Sequence, residues 1–229
     1  MKGSGRPRTV LFLISDTGAG HRSAANAIQK TMRLLEEQAP PLPRGAGLHT
    51  RHDPNWRAVI VDGFAECGRF PLSRGVFLYG PAIKHSPRLY SQVFRMTNTA
   101  NRFNAAWRLS QPFMRQGLTQ LIERMHPDVI VSVHPLLNHI TLQVLRDLRL
   151  RIPFLTVVTD MISIHAAWIA PGVNACIVAT ESARRAAIEG GIPPKRVHLM
   201  GMPIDPIFAE APTGTPAERK TALGLDPNL

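Results

Sequence analysis

The segment after the first apolar run, Ser15-Asp-Thr-Gly-Ala-Gly-His-Arg22, contains residue types that bind ligands and move protons. Gly18 and Gly20 allow a tight turn and the close approach of a ligand to the backbone. The helix predicted to follow points unpaired N–H groups at this loop, which favours an anion or sugar hydroxyls. A neutral imidazole at His21 is a candidate general base. On spacing alone, a plain strand–helix turn with an incidental surface histidine explains the loop equally well.

Polar residues also follow two later apolar runs. His134 comes after the run at 127–133, and Asp160 comes after the run at 154–159. Asp160 is of a type that orients a histidine or binds a hydroxyl group, and Trp168 offers a flat apolar face to a sugar or acyl chain. Taken singly, a structural histidine, a helix cap at Asp160 and core packing of Trp168 are the more ordinary explanations. Three polar loops at strand ends together indicate a shared crevice.

The elements that must position these loops alternate along the chain. Strands are predicted at 10–14, 58–61, 127–133, 154–159, 175–179 and 197–200. Helices are predicted after the first loop, with Ala25, Ile28, Met32 and Leu35 on one stripe, and at 101–125 (kinked at Pro112), 137–148 and 182–189. This alternation predicts an α/β fold with a Rossmann-like, mostly parallel sheet and helices on both faces. Such sheets bind ligands outside the carboxyl ends of their strands.

The composition is that of an ordinary globular protein, with 44% hydrophobic and 19% charged residues in 229. No apolar run approaches the ~20 residues that a membrane-spanning helix needs. Cys67 and Cys176 are far apart and lack metal-ligand spacing, so we expect two reduced structural thiols and no metal site. These features favour a cytoplasmic protein.

Positive charge is concentrated in one segment, Arg69–Met125, which we call the basic segment. It holds nine Lys and Arg residues and one acid, Glu123, in a chain whose net charge is +11. Such a surface implies an anionic partner, which is nucleic acid, anionic lipid or a phosphorylated substrate. Interleaved aromatic residues suit shallow insertion among anionic headgroups. A basic nucleic-acid-binding module is the alternative, although the chain lacks helix-turn-helix, RNP and zinc-finger spacing.

Six motifs, in matching order, resemble the N-terminal domain of monogalactosyldiacylglycerol synthases and bacterial diacylglycerol glucosyltransferases. They are Ser15-Asp-Thr-Gly-Ala-Gly-His-Arg22, His126-Pro-Asp-Val-Ile-Val-Ser-Val-His-Pro-Leu136, Thr156-Val-Val-Thr-Asp160, His165-Ala-Ala-Trp168, Pro171-Gly-Val-Asn174 and Gly201-Met-Pro-Ile204. The resemblance spans about Thr9 to Leu225. It implies the N-terminal half of an inverting GT-B glycosyltransferase, in which this domain binds a lipid acceptor and a second domain binds the UDP-sugar.

The resemblance also implies roles for individual residues. His21 corresponds to the family's essential histidine, and with Asp160 it is expected to be catalytic. The expected substrate-binding residues are Gly18, Ala19, Gly20, His85, His134, His165 and Trp168. From the charge and aromatic residues of the basic segment, the expected contacts with anionic lipid are Lys84, Arg88, Arg95, Arg102 and Trp107. The sequence departs from the family at Ala19, which replaces a glycine, and after His165, where plant members have a proline.

The expected organisation is a flexible N-terminus (1–8), an acceptor-binding domain (9–205) and the start of a linker (206–229) to a nucleotide-sugar-binding domain beyond the sequence. The expected partners are a lipid acceptor, an anionic membrane surface and, through that second domain, a UDP-sugar. No other cofactor and no nucleic acid are expected, and the location implied is the inner face of the cell membrane. A polyprenyl-linked sugar is the alternative acceptor, and a non-catalytic fragment is a further alternative. The chain alone is expected to have negligible transferase activity.

Overall fold

The computed structural model describes residues 7–17, 19–38, 56–70, 100–209 and 214–227, and the side chains of 19 and 100–110 lie outside that description. The strands are β1 (Arg8–Ile14), β2 (Trp56–Asp62), β3 (Val129–Ser132), β4 (Phe154–Val157), β5 (Ala175–Val178) and β6 (Val197–Leu199). The α-helices are α1 (Ala19–Gln38), α2 (Gly63–Cys67), α3 (Ala100–Met125), α4 (Pro135–Asp147), α5 (Glu181–Glu189) and α6 (Pro216–Ala222). Short 3₁₀ turns lie at Ala166–Trp168, Pro194–Arg196 and Pro206–Ala209.

The six strands form one parallel sheet in the order β2-β1-β3-β4-β5-β6. Strand β1 is buried on both faces, because Val10, Phe12 and Ile14 pack on the side of α1. The alternate residues Leu11 and Leu13 pack in a second cluster with side chains of α3 and α4. Helices therefore cover both faces of a parallel sheet, as an uninterrupted apolar strand requires. The predicted fold class is confirmed.

Helix α1 buries only part of the apolar stripe that the sequence predicts. Ala25 is fully buried at the start of the stripe, and Ile28 and Met32 pack partly buried against the same face of the sheet. Leu35 near the end of the stripe is 62% exposed. The expectation that Leu35 belongs to the buried stripe is wrong.

One helix boundary follows from local chemistry. Helix α5 ends in a Schellman motif, in which Gly191 adopts φ +105° and the N–H groups of Gly191 and Ile192 reach Ile188 and Ala187. Helix α3 spans Ala100–Met125, close to the predicted range of 101–125. Helix α3 also continues through Pro112 as a single helix.

Helix α2 is short and is fixed at both ends. The Asp62 carboxylate at the end of β2 accepts hydrogen bonds from the N–H groups of Phe64 and Ala65 and so caps the helix. At its other end, Cys67 lies against Gly117 of α3.

Cys67 and Cys176 are both buried free thiols, and burial raises the pKa of Cys67 to about 12. Among the described helices, none is long and apolar enough to cross a membrane.

Candidate functional site

The candidate site lies where the strand order changes direction. Strand β1 has β2 on one side and β3 on the other, so the connections after β1 and β3 diverge at the carboxyl end of the sheet. His21 is in the first turn of α1, and His134 lies between β3 and α4. Their ring centroids are 4.7 Å apart in an edge-on arrangement. The predicted crevice therefore does bring these two histidines together.

His21 is a half-buried imidazole with defined polar neighbours. Its Nδ1 lies 3.3 Å from the Thr159 hydroxyl, and the ring forms a hydrogen bond with the Val133 backbone. Burial lowers the pKa of His21, while the Val133 bond and the charge of Asp160 oppose that shift. Because an unperturbed histidine already loses its proton near pH 6.5, His21 is neutral at pH 7. A neutral imidazole at a ligand crevice is able to accept a proton.

His134 is more deeply enclosed than His21. The residue is 5% exposed, and its ring lies between His21 and Phe64, whose centroid is 5.4 Å away. Burial lowers the pKa of His134 to about 3, and the neighbouring His21 acts in the same direction. Its Nδ1 has no hydrogen-bond partner among the described residues. His134 thus supplies a neutral wall behind His21, and its contact with a substrate stays a prediction.

Asp160 holds the loop after β4 in place. Its Oδ2 accepts hydrogen bonds from the Trp168 indole N–H at 3.0 Å and from the His165 backbone N–H at 3.2 Å. Trp168 is fully buried in the core, with its ring centroid 6.5 Å from that of His21. The expectation that Trp168 offers a flat face to a ligand is not met in this structure, because the indole has no exposed surface. A catalytic role for Asp160 stays a prediction.

The structure describes two of the remaining predicted site residues fully, three without their side chains and five not at all. The His165 Nδ1 accepts a hydrogen bond from the Ala167 N–H and caps the 3₁₀ turn, and burial lowers the pKa of this histidine. Gly20 lies inside α1 with open space where a side chain would point, so a ligand can approach its backbone. Ala19 begins α1, and Arg102 and Trp107 belong to α3, but their side chains lie outside the description. Gly18, Lys84, His85, Arg88 and Arg95 also lie outside the described residues.

The start of α1 is fixed by carboxylates that the sequence did not single out. Arg22 forms a two-pronged ion pair with Asp16, which lowers the pKa of that carboxyl, and Asp62 accepts the Asp16 backbone N–H at 2.8 Å. Thr159 was placed inside the predicted strand at 154–159 and was given no role, whereas the strand ends at Val157. In the part of the chain that the structure describes, no three His, Cys, Asp or Glu side chains are grouped as metal ligands are.

The fold and the site together define an α/β protein with a neutral histidine at the switch point of a parallel sheet. A family model for monogalactosyldiacylglycerol (MGDG) synthase matches residues 21–204 of this chain. The chain belongs to the MGDG synthase family.

Curated relatives agree with that assignment. A probable chloroplastic monogalactosyldiacylglycerol synthase of Glycine max is 27% identical over 226 residues, which cover 98% of this chain and 39% of that protein. Probable monogalactosyldiacylglycerol synthase 3 of Oryza sativa subsp. japonica is 32% identical over 232 residues, covering 99% and 42%. The chain therefore spans about two fifths of the length of these relatives. The crystal structure of Acinetobacter baumannii MurG aligns with 86% of this chain at 12% identity and a TM-score of 0.45.

Proposed function

We propose that this chain is the acceptor-binding part of a GT-B glycosyltransferase that moves a hexose from a UDP-sugar to diacylglycerol or a related lipid. The observation that carries the proposal is the neutral, half-buried His21 at the switch point of the sheet, in a chain of the MGDG synthase family. Open α/β sheets bind their ligands at this point. The open space beside Gly20 leaves room for an acceptor at the same edge.

His21 is the proposed general base. As the acceptor hydroxyl oxygen attacks the anomeric carbon of the sugar, its proton passes to the imidazole, and the bond from that carbon to UDP breaks with the electron pair leaving on the nucleotide. The attack takes place from the side opposite the leaving group and inverts the anomeric centre. The charge of Asp160 already favours the protonated form of His21, so it stabilises the imidazolium that the transfer creates. His134 stays neutral throughout, because its pKa is about 3.

The donor site is proposed to belong to a second domain. Residues 9–205 would form the acceptor domain, and 206–229 would lead towards a domain that binds the UDP-sugar. The length of the relatives supports this arrangement, since the chain spans about two fifths of them. Four apolar side chains in and after the strand ends at this edge are also exposed, and a second domain would cover them there. They are Met161, Ile162, Leu199 and Met200.

The basic segment is proposed to contact the membrane. Lys84, Arg88, Arg95, Arg102 and Trp107 are its proposed contacts with anionic headgroups, at the inner face of the cell membrane. Each cation near such a surface contributes about 1 kcal/mol. The support is the segment's charge, nine cations against one acid.

A transfer assay tests the proposed activity. A polypeptide that contains residues 1–229 together with a donor domain would be incubated with UDP-galactose or UDP-glucose. The acceptor would be either diacylglycerol or a polyprenyl-linked sugar. We expect UDP release and a hexosyl lipid with diacylglycerol, identified by mass spectrometry, and negligible turnover by residues 1–229 alone. Product from the polyprenyl substrate only would replace the proposed acceptor. Robust turnover by residues 1–229 alone would contradict the need for a second domain.

A further inference from the structure

We propose that Thr159 is the positioning residue of His21, and that the hydrogen bond that the Trp168 indole donates to Asp160 serves to hold Thr159 against the histidine ring. The inference rests on the proposed role of His21 and adds to it the group that orients the ring. Its starting observation is the distance of 3.3 Å between the Thr159 hydroxyl and Nδ1 of His21, two residues that are 138 positions apart in the sequence.

The backbone before Thr159 is anchored to the sheet. Strand β4 ends at Val157, and the next N–H group, that of Val158, still donates to the Ile177 carbonyl of β5 at 2.9 Å. The Val158 side chain is buried in the core at 1% exposure. Thr159 is therefore the first residue that leaves the sheet. Its position at the carboxyl end is set by a strand lying beside β3, which His134 follows.

The backbone after Thr159 is anchored as well. The Asp160 carboxylate accepts from both the Trp168 indole and the His165 N–H, and Trp168 is immobilised by complete burial. Beyond Asp160, the Thr180 hydroxyl donates to the Met161 carbonyl, and the Ser182 hydroxyl donates to the Ile162 carbonyl at 3.0 Å. With anchors on both sides, Thr159 has little freedom to leave the ring of His21.

A hydroxyl suits this position because it both donates and accepts hydrogen bonds. The backbone bond to Val133 favours the protonated ring, as a bond from a ring N–H to a carbonyl oxygen does. Thr159 holds a polar contact at Nδ1. In the reactive tautomer its hydroxyl accepts from the Nδ1–H group, so the lone pair of Nε2 is the one that takes the proton of the acceptor. The two contacts fix the rotation of the imidazole and the nitrogen that carries its proton. The ring thus stays aligned when it takes a proton from the acceptor.

Several titratable groups surround His21. His134 faces it from the β3 side, and the charge of Asp160 acts on it from the β4 side. On its own element Arg22 is paired with Asp16. A Thr159→Val substitution leaves all four groups in place and changes no charge. A change in the pKa of His21 in that variant therefore reports the loss of the hydroxyl contact.

The kinetic test compares Thr159→Val and Thr159→Ser in the transfer assay. Misplacing a catalytic group by about 1 Å costs about 100-fold in rate, so we expect Thr159→Val to lower kcat by about 10- to 100-fold while KM for the acceptor changes less than threefold. Thr159→Ser keeps the hydroxyl and should retain activity within about threefold. The matched control is Thr31→Val, which removes a hydroxyl bonded to Ala27 in the same helix as His21. Unchanged kcat in Thr159→Val overturns the proposal.

An NMR titration of residues 1–229 supplies a readout that is independent of turnover. The ¹⁵N shifts of the His21 ring, assigned with His21→Gln, report its pKa and its tautomer. In Thr159→Val we expect the pKa of His21 to fall, because the hydroxyl that accepts from the Nδ1–H group is lost. A rise would show that the hydroxyl instead occupies the lone pair of Nδ1, and it would overturn this arrangement. A His21 pKa and tautomer identical to those of the wild type overturn it, even if activity is lost. A His21→Gln variant with normal turnover would instead contradict the proposed function, whatever the titration shows.

Discussion

At the scale of single residues, the site depends on desolvation of two adjacent imidazoles. His134 is enclosed by His21 and Phe64, and His21 is half-buried against His134, Thr159 and Trp168. Burial penalises the charged form of both rings, which keeps them neutral at pH 7. The two rings differ in access to solvent and in nearby negative charge. Asp160 favours the protonated form of His21 but not that of His134. The more accessible ring is thus the one suited to gain a proton.

The low pKa of His134 makes the stability of the chain depend on pH. An unfolded histidine takes a proton below about pH 6.5, whereas folded His134 does so only near pH 3. The stabilising contribution is therefore fully present above pH 6.5 and is lost progressively as the pH falls towards 3. Between pH 7.5 and pH 5 the loss is about 2 kcal/mol.

His134→Phe tests this effect, because it keeps an aromatic ring beside Phe64 and removes the titrating group. Urea unfolding at pH 7.5 and pH 5 gives the free energy of unfolding of both proteins. We expect the wild type to lose about 2 kcal/mol more than the variant over this interval. His21, His139 and His165, whose pKa values burial also lowers, are present in both proteins and cancel. Equal losses in the two proteins would show that His134 is not held neutral.

At the scale of elements, the position of the site depends on how closely helices α2 and α3 approach each other. Asp62 caps α2 and also accepts the Asp16 backbone N–H, so α2 is tied to the loop that precedes His21. Cys67 at the end of α2 is in close contact with α3 at Gly117, where an added Cβ would lie 2.2 Å from the Cys67 carbonyl oxygen. Only a glycine fits there, because the neighbouring atoms are backbone.

Gly117→Ala should therefore destabilise the fold. Alanine gains up to about 1 kcal/mol of helix propensity over glycine, but overpacking costs about 1–3 kcal/mol, and a clash this close with backbone belongs at the upper end of that range, about 2–3 kcal/mol. We expect a net loss of about 1–2 kcal/mol in the free energy of unfolding, measured in urea. Gln120→Ala, an exposed position of the same helix, is the control and should change stability by less than about 0.5 kcal/mol. A Gly117→Ala variant as stable as the wild type would contradict the close contact.

The helices and strands were largely predictable from sequence, but the burial and the partners of some of their side chains were not. The apolar run at 10–14 correctly predicted strand β1, and polar residues after strands correctly placed His21 and His134 at one edge. Leu35 failed because periodicity predicts which side chains share a helix face but not how far along the helix that face stays covered; Leu35 is 62% exposed. Trp168 was assigned to a ligand because the sequence does not show that Asp160 satisfies the indole N–H and permits complete burial. Thr159 escaped notice because its partner is 138 residues away.

At the scale of the whole molecule, the charge of the basic segment and the length of the relatives both concern parts outside the described sheet. The basic segment carries most of the net charge of +11, and the aligned portion is only 39% of the length of the Glycine max relative. An acceptor that is a lipid must be reached at a membrane surface, where anionic headgroups attract cations and salt weakens the attraction.

Residues 1–229 should bind vesicles that contain anionic lipid in preference to neutral ones, in a co-sedimentation assay at low and high salt. Replacing Lys84, Arg88 and Arg95 by Gln should weaken the binding by about 100-fold, since three cations at about 1 kcal/mol each contribute about 3 kcal/mol. Replacing Arg33, Arg57 and Arg185, which are exposed and lie outside the segment, is the control for the same loss of charge. Tighter binding to nucleic acid than to anionic vesicles at matched salt would favour the nucleic-acid alternative.

The most direct test of the account is the turnover number for hexosyl transfer to diacylglycerol after His21→Gln, compared with His126→Asn. His126 is an exposed histidine before β3, at the opposite edge of the sheet, and its φ of +43° is one that asparagine tolerates. If His21 is the base, its loss lowers kcat by about 100- to 10,000-fold while His126→Asn stays within threefold of the wild type. A His21→Gln protein with kcat close to that of the wild type would contradict the central claim.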